Sequence, residues 1–151
     1  MSTEEERQAN TANVYALIEM AAGENHDAFK YLQEIAFVAR IVDDLIDRDR
    51  EASAAEVERM AEILLVSLPQ NRFFQQHRDR LEAAHAIAWN AWTDSNWLTR
   101  GDAVDKIYAH VLRDAINEVL PLVALLAGDY KRMHQVSHAM RRLFRKPLTE
   151  Q

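Results

Sequence analysis

The stretch ARIVDDLIDRD, residues 39–49, places three aspartates at the end of an otherwise apolar segment. Side chains three and four positions apart share one face of a helix. The residues that this spacing brings together are Arg40, Asp43, Asp44 and Asp47. Carboxylates at the C-terminal end of a helix oppose its dipole and repel one another, so they require a compensating positive charge. Because Mg²⁺ binds carboxylate oxygens and bridges them to phosphates, the spacing favours a Mg²⁺ site formed by Asp43, Asp44 and Asp47.

Neighbouring arginines offer a second explanation for the same acids. Arg40, Arg48 and Arg50 could neutralise them, and the segment would then be a solvated helix end without a metal. In the first explanation, Phe37 lies one turn above the aspartates and belongs to an apolar wall with a polar mouth. We therefore take Phe37 and Arg40 as candidate ligand-binding residues.

A second polar face is predicted between residues 102 and 127. His110, Asp114, Asn117 and Glu118 fall on one side of a helix, with Arg113 beside them. The opposite side carries Val104, Ile107, Val111, Ala115 and Val119. Arg113, Asp114 and Glu118 could supply a second wall for a metal or a diphosphate. The alternative is the solvent side of an ordinary amphipathic helix.

Helices must position all of these residues, because the 151-residue chain has only three glycines and three prolines. We predict an all-α fold, one antiparallel bundle of five or six helices in a single domain spanning residues 1–151. The predicted helices are 12–22, 26–48, 54–68, 70–97, 102–127 with a kink at Pro121, and 129–145. Residues 1–10 are predicted to fray, and 129–151 to form a basic helix and tail. The absence of cysteine excludes disulfides and thiolate chemistry.

Charge and hydropathy narrow the classes of partner. A net charge of −6 disfavours nucleic-acid binding, although six Lys or Arg and no acid occur between residues 131 and 146. That basic run could hold a diphosphate or an acidic partner, or only be solvated. The N-terminus does not resemble a signal peptide, and no apolar run reaches the length of a membrane span, so we expect a soluble, cytoplasmic protein.

The helix with Trp89, Trp92 and Trp97 is either core or the apolar seam of a homodimer.

The segment AFVARIVDDLID resembles the first aspartate-rich helix of the trans-isoprenoid synthases, particularly the squalene and phytoene synthases. The residues that match its Arg-x-x-Asp-Asp-x-x-Asp pattern are Arg40, Asp43, Asp44 and Asp47. The resemblance implies a fold that is isoprenoid-synthase-like in part. It also implies Mg²⁺-dependent binding or turnover of a diphosphate-containing ligand.

Three segments, ARIVDDLID, LPQNRFF and HVLRDA, are together similar to a group of small uncharacterised helical proteins associated with bacteriophage and prophage genomes. This similarity implies a phage-related origin and a bacterial host cytoplasm. Three functions remain open, and they differ in whether the chain is an enzyme. These are the Mg²⁺-dependent diphosphate function, an all-α nucleotide pyrophosphohydrolase using Glu34 and Glu118 with the aspartates, and a non-enzymatic phage accessory protein that binds a host or phage protein.

Overall fold

The computed structural model describes residues 3–47 and 51–145, and this part of the chain is helical with no strand. The predicted all-α class is confirmed. The α-helices are α1 Glu4–Ala22, α2 His26–Asp47, α3 Ala54–Glu62, α4 Leu68–Gln70, α5 Arg72–Gln76, α6 Arg78–Leu98, α7 Ala103–Leu112, α8 Val119–Ala127 and α9 Tyr130–Leu143. A π-helical turn, Ile63–Ser67, joins α3 to α4, and a 3₁₀ turn, Ala115–Glu118, precedes α8.

Capping explains where the first helices begin and end. The Thr3 hydroxyl accepts from the Glu6 N–H while the Glu6 carboxylate accepts from the Thr3 N–H, a reciprocal box that fixes the start of α1. The predicted start of this helix at residue 12 was therefore wrong, because α1 begins at Glu4, and residues 1–2 lie outside the described part. Gly23, with φ 59°, ends α1 in a conformation that favours glycine. Asn25 accepts from the Ala28 N–H at 2.9 Å, so α2 begins where the sequence predicted.

The third helix was predicted to end before Pro69, but a π-helical turn continues it past this residue. The Leu68 N–H donates to the Ile63 carbonyl, five residues back. This wider turn lets both Ile63 and Leu68 face the core, while Leu65 points outward and is 78% exposed. Pro69 follows this turn directly, and the wider π-geometry accommodates a residue that has no N–H to donate.

Two long predicted helices are broken in the structure. The one predicted over 70–97 begins at Asn71, whose side-chain carbonyl accepts from the Phe74 N–H and whose amide donates to the Asp27 backbone carbonyl at 2.9 Å. It is broken at His77, which leaves α-geometry between α5 and α6. The one predicted over 102–127 leaves α-geometry between Leu112 and Val119. Pro121 consequently lies in the first turn of α8, and the kink predicted there is replaced by the break that precedes it.

The core lies where α1 and α2 meet α8 and α9. Its fully buried large side chains include Tyr31, Phe73, Leu81, Val123, Val136 and Met140. Buried alanines on α1, α2 and α8 allow the helices to approach closely. The α6–α7 hairpin packs through α5, α8 and the 3₁₀ turn at the edge of this core. No helix within 3–47 or 51–145 is both long and apolar enough to cross a membrane.

Arg132 on α9 lies against the C-terminal ends of two other helices. A Cβ atom built on Gly23 would lie 2.8 Å from Nη1 of Arg132, and one built on Gly128 would lie 2.7 Å from its Cζ. The guanidinium therefore packs against the backbone where α1 and α8 both end. Because the C-terminal end of a helix carries partial negative charge, one cation stabilises two helix ends here.

Candidate functional site at the acidic end of helix α2

Asp47 forms an ion pair across the fold with the residue that follows α7. Nη2 of Arg113 donates to Oδ1 of Asp47 at 2.7 Å, and the two side chains are only 33% and 21% exposed. The same Nη2 reaches Oδ1 of Asn96 on α6 at 3.5 Å. The acidic end of α2 thus faces α6 and the end of α7, and Arg113 provides part of the positive charge that it requires.

Asp43 lies one turn earlier and is less well compensated. Burial, followed by a hydrogen bond and charge repulsion from Asp47, raises the pKa of the Asp43 carboxyl to about 6. The charge of Arg113 and a hydrogen bond with Trp92 act in the opposite direction. The indole N–H can only donate, so Trp92 favours the ionised carboxylate. Asp43 therefore holds its proton to a higher pH than an ordinary aspartate and shares a hydrogen bond with the neighbouring Asp47.

The remaining predicted residues of α2 turn toward α3. Arg40 forms an exposed ion pair with Glu56 at 3.4 Å, and its guanidinium lies 5.3 Å from the Phe37 ring centroid. Arg59 of α3 stacks closer to the same ring, at 4.3 Å. Phe37 therefore contacts α3 through Arg59, and Arg40 joins the same two helices through Glu56. Asp44 is partly buried. The predicted counter-charges Arg48 and Arg50 lie outside the described residues.

The second polar face does not assemble as predicted. Arg113 joins Asp47, whereas Asp114 is exposed and Glu118 pairs with Arg141 of α9 through both carboxylate oxygens. The physical reason is the loss of α-geometry over residues 113–118, which removes the three- and four-residue spacing on which the face depended. Arg113, Asp114 and Glu118 thus lie in three different environments and do not form one face.

A metal ion would need several ligands that converge on one point. Within the described ranges, no three His, Asp or Glu side chains are grouped closely enough to hold one. Asp47 is engaged by Arg113, and Asp43 shares a hydrogen bond with Asp47. As arranged, the three aspartates do not form a preassembled Mg²⁺ cage.

Two open cavities lie on another part of α2. They measure about 310 and 330 Å³ and share Lys30, Glu62 and Ser67 in their walls. The buried Glu34 lines the 330 Å³ cavity, accepts from the Ser67 hydroxyl at 3.1 Å and lies 3.9 Å from the Lys30 ammonium. Glu34 is thus a structural acid paired with the π-helical turn. Neither cavity is lined by Asp43, Asp44 or Asp47.

Sequence reasoning missed a buried polar pair between α2 and α6. The Tyr31 hydroxyl and Nε2 of His85 are 2.5 Å apart, and the Phe74 ring stacks parallel to the imidazole. Burial lowers the pKa of His85, against a smaller opposite effect of Glu82, and raises that of the Tyr31 phenol. The two residues are 54 positions apart. No local spacing could have indicated their contact.

The apolar side of α7 does not lie in the interior, as the amphipathic alternative would require. Val104, Ile107, Tyr108 and Val111, at the spacing i, i+3, i+4 and i+7, are between 48% and 68% exposed, and we refer to them as the α7 stripe. The small Ala109 is buried instead. On α6, Trp97 and Trp89 are also more than half exposed. They are therefore not core residues, although aromatic side chains at helical spacing usually are.

Comparisons with known proteins add no family to these observations. The chain matches no protein family, no curated protein and no solved structure significantly. The similarities of α2 to isoprenoid synthases and of three segments to phage-associated proteins gain no support from these comparisons. Function therefore has to be argued from the geometry of this chain.

Proposed function

We propose that this chain is a non-enzymatic assembly protein that acts by binding a second copy of itself through the α6–α7 hairpin. The α7 stripe supports this proposal. An apolar stripe at i, i+3, i+4 and i+7 normally lies against the core of a globular protein. Here it points into solvent along the full length of α7. A helix oriented in this way exposes the surface that another helix would cover.

The area of the hairpin surface suits a stable dimer. At roughly 100 Å² for an aliphatic and 200 Å² for an aromatic side chain, the α7 stripe exposes about 300 Å² of apolar surface. Trp89 and Trp97 on α6 expose about 250 Å² more. A standard interface buries about 800 Å² per partner, a little over half of it apolar. The apolar area exposed on the two helices is of that order, and α6 is the helix for which the sequence predicted a homodimer seam.

The ends of α7 are compatible with a second copy as the partner. The first turn of α7 is acidic, with Asp102 as its N-cap and Asp105. A two-fold axis through the middle of α7 would keep the acidic first turns of the two copies at opposite ends of the interface. Such an antiparallel pair also opposes the two helix dipoles favourably.

Sedimentation or light scattering over a concentration series tests this function. We expect a dimer at about 100 μM, where a micromolar Kd gives mostly dimer. Val111→Glu should yield a monomer with an unchanged helical spectrum. Leu65→Glu, at a residue even more exposed but on the π-helical turn, is the matched control and should remain dimeric. A monomeric wild-type protein, or equal loss of dimer in both variants, would contradict the proposal.

A second candidate function is Mg²⁺-dependent binding of a diphosphate-containing ligand at the aspartates. The observation that favours it is the raised pKa of Asp43, because a cation placed between Asp43 and Asp47 would relieve their repulsion. It requires that Arg113 release Asp47 and pair with the diphosphate instead. Millimolar Mg²⁺ with inorganic diphosphate should then raise the melting temperature of the wild type and not that of Asp43→Asn. An identical response of the two proteins would exclude this function.

A further inference from the structure

A pair of histidines on the outer face of α9 has the geometry of a chelating metal site. His134 and His138 are one helical turn apart, both are exposed, and their ring centroids are separated by 4.2 Å. Two imidazole nitrogens that bind the same ion at ~2.0–2.1 Å are themselves about 3 Å apart. Small side-chain rotations bring rings at this separation into that position.

The helix holds the pair on a rigid support. The opposite side of α9 is anchored in the core by Val136 and Met140, which are 0% and 2% exposed. The Tyr130 ring, one turn before His134, lies nearly parallel to its imidazole with 6.2 Å between the ring centroids. The helix therefore already places the two ligands on one face, and binding an ion does not require ordering a loop.

The surroundings determine which ions the pair can hold. Lys131 and Arg142 lie near the same face of α9, and no acid occurs on this helix. Hard cations such as Mg²⁺ need oxygen ligands and negative charge, so they gain little here. Late first-row cations such as Ni²⁺, Cu²⁺ and Zn²⁺ bind neutral imidazole nitrogen strongly. We propose that His134 and His138 form a bidentate site for a late first-row divalent cation, with water completing its coordination.

Isothermal titration of the full chain with NiCl₂ at about pH 7.5, where free imidazole is neutral, tests this site. We expect binding that His138→Gln weakens by roughly tenfold or more, because one ligand of a chelate is lost. Asp43→Asn should leave it unchanged, which separates it from any Mg²⁺ site on α2. His26→Gln removes a histidine that is also exposed, at the start of α2, and is the matched control.

The double variant His134→Gln/His138→Gln makes the outcome decisive. Both residues are exposed, so the variant should retain the helical spectrum and melting temperature of the wild type. Loss of Ni²⁺ binding in this variant, with binding retained in His26→Gln, supports the site. Wild-type affinity in the double variant, or an equal loss in His26→Gln, would overturn it.

Discussion

Asp43→Asn and Asp47→Asn should change stability in opposite directions, although the two acids are one turn apart on the same helix. Folding raises the pKa of Asp43 from 3.8 to about 6, so at neutral pH its ionised form is unfavourable in the folded state. The full shift corresponds to about 3 kcal/mol, and solvent screening of this partly exposed group reduces it to roughly 1 kcal/mol. Asp43→Asn should therefore stabilise the protein by that amount at pH 7.

Asp47→Asn acts on a different interaction. It removes the charge that Arg113 contacts at 2.7 Å while leaving the guanidinium partly buried. A weakened pair of this kind costs about 1–2 kcal/mol, and relief of the repulsion on Asp43 offsets part of it. We expect a net destabilisation of roughly 1 kcal/mol.

The pH dependence separates this mechanism from a general effect of removing charge. The folded state binds the Asp43 proton more tightly than the unfolded state, so stability from this group falls as the pH rises from 3.8 to 6. The advantage of Asp43→Asn should accordingly be absent near pH 3.8 and complete above about pH 6. Urea unfolding followed by circular dichroism between pH 4 and 7 measures this. An Asp43→Asn gain that persists at pH 4, or destabilisation at pH 7, would refute the reasoning.

Two other predictions concern contacts outside the α2 site. Because burial lowers the pKa of His85, the unfolded state binds its proton more readily, and stability should fall as the pH drops below about 6.5. Acid unfolding measured in the Asp43→Asn background should show this loss, and His85→Gln should flatten it; an unchanged profile would contradict it. Arg132→Ala should destabilise the protein by about 1 kcal/mol, because the ends of α1 and α8 lose a shared cation. Arg142→Ala, on an exposed part of α9, should have little effect in the same urea titration.

The fold was predictable where local chemistry decides it. The capping box of Ser53 and Glu56, the Asn25 cap and the Gly23 stop are local signals, and each marks a helix end in the structure. The breaks were not predictable, because their cause is distant in sequence. Asn71 separates α4 from α5, and its side-chain amide donates to a backbone carbonyl 44 residues away.

The sequence predicted which residues of the candidate site lie close together along α2. It did not predict which ion pairs they form. Helical spacing places Arg40 near Asp43 and Asp47, whereas α3 and the end of α7 decide which contacts form. Arg40 pairs with Glu56, and Arg113 reaches Asp47. The pattern of α7 likewise revealed an apolar stripe without indicating whether this chain or another covers it.

The π-helical turn holds one residue more than an α-helix would place in the same stretch. An α-helix advances by about 100° per residue, so side chains four positions apart share a face, whereas the two that share the core face here, Ile63 and Leu68, are five positions apart. Deleting one of the outward residues Leu64, Leu65 or Val66 would therefore let plain α-geometry keep Leu68 in the core. Inserting a residue there would instead rotate Leu68 and the α5 aromatics by about 100°. In this segment the chain tolerates the loss of a residue better than the gain of one.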